Sequence, residues 1–130
     1  MACRLFIADD SMLLCAHLVE MLSKLDGIKI VGVSHNALDA INVVNREKPD
    51  LAILDIMMPG GSGLDILKSI NENGLATKVI VFTNFAYPQY RKAYMDEGAD
   101  YFFDKYKEFE DMTKVVRKIS RVMNKTALEG

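Results

Sequence analysis

The chain has 130 residues, half of them apolar and about a quarter charged, with a formal net charge of −2. That length suits one domain with a single substantial core, and the near-balanced charge provides no field of the kind that binds nucleic acid directly. No apolar run approaches the roughly 20 residues that span a membrane, and the N-terminus lacks a signal-peptide pattern.

The first predicted element is a strand, Arg4-Leu5-Phe6-Ile7-Ala8, which ends in Asp9-Asp10. Ser11 is a good N-cap for a helix carrying Leu14, Leu18, Met21, Leu22 and Leu25, and Asp26-Gly27 stops it. Ile28-Lys29-Ile30-Val31-Gly32-Val33 is the second strand. Asn36 can cap a second helix with Ala37, Ala40, Ile41 and Val44 on its apolar face, which ends before Pro49 because the residue preceding a proline avoids helical geometry. The third strand, Leu51-Ala52-Ile53-Leu54, ends in Asp55, and Pro59-Gly60-Gly61-Ser62-Gly63 is expected as a flexible loop. A third helix carries Leu64, Ile66, Leu67 and Ile70 and closes at Asn73-Gly74. The fourth strand, Lys78-Val79-Ile80-Val81-Phe82, ends in Thr83. Pro88 suits the first turn of a fourth helix running to Glu97, with Gly98 just beyond it. The fifth strand, Tyr101-Phe102-Phe103-Asp104, ends near Lys105, and a last helix carries Phe109, Met112, Val115, Val116, Ile119 and Met123. Residues 126–130 show no periodicity and are expected as a tail.

Five alternating strand–helix units with short connections imply an α/β, doubly wound, five-stranded parallel sheet with five helices. Right-handed crossovers in the order 2-1-3-4-5 put the topological switch between the first and third strands. Ligands bind beyond the carboxyl ends of such strands, so Asp9, Asp10, Asp55, Thr83 and Lys105 are expected at one edge. Three carboxylates, a hydroxyl and an ammonium suit a divalent cation and a phosphoryl group. Cys3 and Cys15 have no metal-ligand spacing and are expected as reduced, buried thiols of a cytoplasmic protein.

Four motifs in order carry a specific resemblance: Ala8-Asp9-Asp10-Ser11; Pro49 through Gly60 around Asp55, with Gly63; Val81-Phe82-Thr83; and Gly98-Ala99-Asp100 through Lys105. Residues 4 to about 123 resemble the receiver domain of bacterial two-component response regulators, a flavodoxin-like fold like that of the chemotaxis receivers, with residues 1–125 as the domain. The resemblance implies that Asp55 accepts a phosphoryl group from a histidine kinase or phosphotransfer protein as an acyl phosphate. It implies Mg2+ held by Asp10 and Asp55 directly, by Asp9 mainly through water, and by the backbone carbonyl of Met57. It assigns Lys105 and Thr83 to phosphoryl oxygens, and Thr83 with Phe102 to a switch in which the aromatic rotates inward as the threonine moves. The protein would be a phosphorylation-dependent signalling switch with self-phosphorylation and self-dephosphorylation chemistry only, not an enzyme turning over small molecules. If the chain is complete, output passes through protein contacts.

Two other readings fit less well. A dehalogenase-like phosphatase wants a second acid two residues after the nucleophile, where Met57 stands. A flavodoxin-like electron carrier wants a hydroxyl-rich phosphate loop after the first strand, where Asp9-Asp10 would repel FMN phosphate. A receiver belonging to a larger DNA-binding regulator is a further alternative.

The sequence also departs from the family pattern. Tyr106 replaces the usual proline, so the loop leaving Lys105 is expected to be rebuilt. Asn84 and Phe85 follow Thr83, and Ser62 replaces an acidic residue before Gly63. Met57 and Phe85 are apolar where the family often has polar residues that place the attacking water. Ten of the eleven aromatics lie between Phe82 and Phe109. Phe82 and Phe103 read as core. Tyr87, Tyr90 and Tyr94 read as hard to bury together, and mark the fourth helix, fifth strand and fifth helix as the surface for a downstream protein or a homodimer. Lys114, Lys118, Arg121 and Lys125 read as a solvated helix face, and His17 and His35 as surface residues.

Overall fold

The computed structural model describes the backbone of residues 2–129 and the side chains of residues 2–125. The expected tail at 126–130 lies outside the residues described in full. The elements in order are β1 (Cys3–Ala8), α1 (Met12–Leu22), β2 (Ile28–Ser34), α2 (Ala37–Glu47), β3 (Leu51–Leu54), β4 (Met57–Met58), β5 (Gly61–Ser62), α3 (Gly63–Glu72), β6 (Lys78–Thr83), α4 (Pro88–Asp96), β7 (Tyr101–Asp104) and α5 (Phe109–Glu129). The five long strands form one parallel sheet in the order β2-β1-β3-β6-β7, which is 2-1-3-4-5 once the two short strands are set aside.

Alternation along the strands divides the core in two. Phe6, Ala8, Ala52, Leu54, Val79, Val81 and Phe102 face α2, α3 and α4, where Ala40, Val44, Ile66, Leu67 and Ile70 meet them. Leu5, Ile7, Leu51, Ile53, Ile80 and Phe82 face α1 and α5, against Leu18, Leu22, Met112, Val116 and Ile119. Both faces of the sheet are covered, which is why its strands read as continuous apolar runs. Cys3 and Cys15 are free, buried thiols.

The helix boundaries follow local chemistry. Ser11 accepts from the Leu14 amide and Asn36 from the Asp39 amide, each as an N-cap. Lys48 ends α2 in the left-handed region at φ 47°, directly before Pro49. Pro88 stands in the first turn of α4 and Gly98 follows it at φ 103°.

The loop expected to be flexible at Pro59–Gly63 is ordered instead. Met57 pairs with Ser62 and Met58 with Gly61 in a miniature antiparallel hairpin. Gly60 and Gly61, at φ 81° and 153°, make its turn, a conformation other L residues adopt only with strain. Ser62 then caps α3 in a reciprocal capping box with Asp65. The sheet register brings Ala8 level with Leu54, Leu54 with Val81, and Thr83 with Asp104. The residues following these strands therefore share one edge.

Gly63 fixes how closely α3 approaches that edge. A Cβ there would lie 2.2 Å from the Asp55 carbonyl oxygen. Alanine is the better helix former by about 1 kcal/mol, yet Gly63→Ala should destabilise the protein by about 3 kcal/mol through this backbone collision. Urea denaturation measures it, and a neutral or stabilising result would show that the α3 start is free to retreat.

Candidate functional site

Three carboxylates converge at the carboxyl edge: oxygens of Asp9, Asp10 and Asp55 all lie within 4.8 Å of one another. Asp9 and Asp55 are buried and Asp10 is exposed. The main chain sets each position. The Asp9 amide donates to the Ser34 carbonyl at 3.0 Å, and the Asp55 amide donates to the Ala8 carbonyl at 2.9 Å. Asp9 Oδ1 accepts from the Ser11 amide at 2.8 Å, and Asp55 Oδ1 accepts from the Ile56 amide at 2.7 Å. Each acid thus has one oxygen tied to its own chain and a second turned to the cleft.

Lys105 closes the site from β7. Its Nζ donates to Asp9 Oδ2 at 2.6 Å and to Asp55 Oδ2 at 3.2 Å. Burial raises the pKa of Asp55, and the negative Asp9 adds to this, against the opposing pull of Lys105 and the Ile56 amide. For Lys105 burial works to lower the pKa, but the hydrogen bonds and charges of Asp9 and Asp55 together raise it. One ammonium among three carboxylates leaves the cluster electron-rich. All-oxygen donors at this spacing fit a hard divalent cation.

Thr83 is fully buried at the end of β6. Its hydroxyl accepts from the Phe85 amide at 3.0 Å, leaving its own proton to donate, and its carbonyl accepts from the Lys105 amide at 2.9 Å. Met57 lies two residues beyond Asp55, with its side chain half exposed. The structure thus brings Asp9, Asp10, Asp55, Thr83 and Lys105 to one edge. Phe102 stands apart, buried against Tyr94 with ring centroids 6.1 Å apart and the Arg91 guanidinium 4.8 Å over its face.

Several residues took positions the sequence did not announce. Tyr94, expected on an exposed aromatic surface with Tyr87 and Tyr90, is only 2% exposed. Tyr87 and Tyr90 are exposed, with rings 6.0 Å apart. The helical spacing of Tyr90 and Tyr94 was the misleading signal, because α4 rotates one of the pair into the core. His17 is exposed as expected, but His35 is half-buried with Nδ1 2.9 Å from the Asp9 carbonyl oxygen, which makes Nδ1 the protonated nitrogen. Cys15 Sγ donates to the same carbonyl at 3.4 Å.

The loop after Lys105 is held by the residue before it. The Asp104 carboxylate accepts from the amides of Tyr106 at 2.7 Å and Lys107 at 3.2 Å. A proline at 106 would have no N–H for the first of these bonds. The Tyr106 ring projects outward, 83% exposed.

Comparison with known proteins agrees with this geometry. Residues 5–117 match the family described as response regulator receiver domain. The chain is 33% identical over 115 residues to the uncharacterized transcriptional regulatory protein YvfU of Bacillus subtilis, covering 88% of this chain and 58% of YvfU. It is 35% identical over 81 residues to protein-glutamate methylesterase/protein-glutamine glutaminase 5 of Myxococcus xanthus, covering 62% of this chain and 23% of that protein. Among solved structures, a LuxR-family DNA-binding response regulator from Staphylococcus aureus superposes with a TM-score of 0.83 at 30% identity, covering 90% of this chain and 98% of that one. The chain therefore spans little more than half the length of YvfU.

The raised pKa of Asp55 has a consequence for stability. The folded protein holds this proton more tightly than the unfolded chain does, so its contribution to stability falls as pH rises from the ordinary value of 3.8 through the raised one. Lys105 has the same form in a more alkaline range: its contribution is present below 10.5 and is lost as pH climbs through its raised pKa. In chelator, the stability of Asp55→Asn relative to wild type should therefore increase as pH is raised from about 4. Thermal melts across pH measure it, and a pH-independent difference would contradict the burial argument.

Proposed function

The chain belongs to the response regulator receiver domain family, and from that premise we propose that Asp55 is its phosphoacceptor, charged by a histidine kinase or phosphotransfer protein. The observation that carries the assignment is the doubly held Asp55 carboxylate, with Oδ1 on the Ile56 amide and Oδ2 on the Lys105 ammonium, inside a three-carboxylate cluster. An ionised carboxylate needs no general base. Its oxygen forms the new bond to phosphorus as the phosphorus–nitrogen bond of the donor histidine breaks, and the departing imidazole takes up a proton.

The roles of the neighbours follow from their donors. Lys105, which now bridges Asp9 and Asp55, would turn its ammonium to a phosphoryl oxygen. The Thr83 hydroxyl proton would go to another. Asp10 and Asp55, with the Met57 carbonyl and with Asp9 through water, would hold Mg2+. When bound, Mg2+ neutralises the carboxylates and the phosphoryl oxygens, the main requirement of phosphoryl transfer. Asp10 is available for this because Ser11, not Asp10, caps α1.

The switch would run from Thr83 to Phe102, and output would pass through the face of α4, β7 and α5 to a downstream protein, an output domain or a second copy of the chain. The exposed Tyr87, Tyr90 and Met95 favour this face. No described helix is long and apolar enough to cross a membrane. We place the switch in the cytoplasm, acting on proteins rather than on nucleic acid directly, without small-molecule turnover beyond its own phosphorylation and dephosphorylation.

With Mg2+ and a small acyl-phosphate donor, intact mass should show one added phosphate on wild type and none on Asp55→Asn. Equal labelling of the two would sink the assignment. A second outcome concerns lifetime. Met57 and Phe85 stand two residues beyond Asp55 and Thr83 and are 54% and 37% exposed, and on this reading their apolar side chains flank the cleft at its surface. Crowding of this kind removes well-placed waters for in-line attack on the acyl phosphate. Met57→Asn or Phe85→Ala should shorten the half-life after donor removal by roughly tenfold, equivalent to about 1.4 kcal/mol of barrier. If neither variant decays faster, the apolar screen plays no part.

A further inference from the structure

The start of α3 presents amides with no partner inside the helix, and these must be satisfied from outside. The Gly63 amide donates to the Ile56 carbonyl at 3.0 Å, and the Asp65 amide to Ser62 Oγ at 3.3 Å. Between them, the Leu64 amide donates to the hydroxyl of Tyr94 at 2.9 Å. That hydroxyl comes from α4 and also faces the Ile56 carbonyl at 3.5 Å. Burial pushes the Tyr94 phenol up to about 12, against the hydrogen bonds of Leu64 and Ser62 that work the other way. It therefore remains an O–H at ordinary pH, accepting from Leu64 and keeping a proton to direct at Ile56.

Ile56 is the residue whose amide holds Asp55 Oδ1. At the other end of the same side chain, the Tyr94 ring packs on Phe102, which lies under Arg91. One buried residue of α4 thus touches both the segment carrying the acceptor and the aromatic of β7.

We propose that Tyr94 is a positioning residue that couples the Asp55 loop to α4, a second connection beside Thr83 and Phe102. This rests on the reading of Asp55 as phosphoacceptor. Conversion of the Asp55 carboxylate to an acyl phosphate removes charge from the group that Ile56 N–H holds. The adjustment of Ile56 reaches the Tyr94 hydroxyl through the Ile56 carbonyl and the α3 start. Were Tyr94 only a helix cap, its loss would lower stability and leave the response of α4 intact.

Tyr94→Phe keeps the ring and deletes the hydroxyl. Asn36→Ala is the matched control, since it removes the cap of α2, where Asn36 Oδ1 accepts from the Asp39 amide at 2.8 Å, far from α4 in the chain. Both are phosphorylated with Mg2+ and a small acyl-phosphate donor, and hydrogen exchange is followed across residues 88–97. Tyr94→Phe should label Asp55 roughly fivefold more slowly, the factor for one ordinary hydrogen bond, and should lose most of the phosphorylation-dependent change in α4. Asn36→Ala should melt earlier and retain both. On the unaltered protein, the Tyr94 ring resonances should move on phosphorylation, which tests the idea even if the variant does not fold. Wild-type rate and wild-type α4 response in Tyr94→Phe, an equal loss in Asn36→Ala, or an unmoved Tyr94 signal would each overturn the coupling alone. Absence of phosphate on wild type would overturn the phosphoacceptor reading and the coupling with it.

Discussion

The ammonium of Lys105 lies against Asp9 and Asp55 at the carboxyl edge of the sheet, and the architecture around it makes that contact tolerable. Two buried acids side by side disfavour each other's ionisation. A buried charge is stable only when paired and hydrogen-bonded. The pairing requires β1, β3 and β7 to end at one level, which only the parallel register with β6 between β3 and β7 supplies. The Ile56 and Ser11 amides hold the remaining oxygens of the two buried acids. The cluster still carries more negative charge than Lys105 can offset, and that surplus suits the edge to a cation.

Much of this was legible because each feature has a local cause. Strand ends at Asp9, Asp55, Thr83 and Lys105 could be read from apolar runs that stop at polar residues. Ser11, Asn36, Pro88 and Gly98 marked helix boundaries through their own side chains or backbone preferences. The buried acids followed from strand order, since a doubly wound sheet brings the ends of the first and third strands together.

What stayed hidden depended on contacts between distant segments. Tyr94 spaced four residues from Tyr90 predicts a shared helix face, but the gap between α3 and α4 needed a donor and acceptor for Leu64 and Ile56, and the buried phenol fills it. His35 follows β2, and nothing in its neighbourhood along the chain reveals that β2 ends beside the Asp9 carbonyl. The hairpin at Met57–Ser62 was masked by a glycine-rich composition that reads as looseness, although its glycines make a defined turn. Asp104 ends β7 as its sequence reads, but its carboxylate also organises the turn after Lys105, which no local pattern announces.

Asp9 and Lys105 are 96 residues apart in the chain. The cleft is therefore among the last things the molecule can complete, because loops of that length close late and nonlocal pairing is slow. During synthesis, a chain emerging only as far as β6 would present its acids without their counterion. Lys105 also follows an edge strand of four residues, bonded on one side only to β6, and edge segments of this kind open more readily than central ones. Fraying of β7 would withdraw the ammonium while leaving Asp9 and Asp55 seated in the middle of the sheet. The pairing at this edge is thus tied to the seating of β7, and a nascent or partly unravelled copy holds its two buried acids without their ammonium.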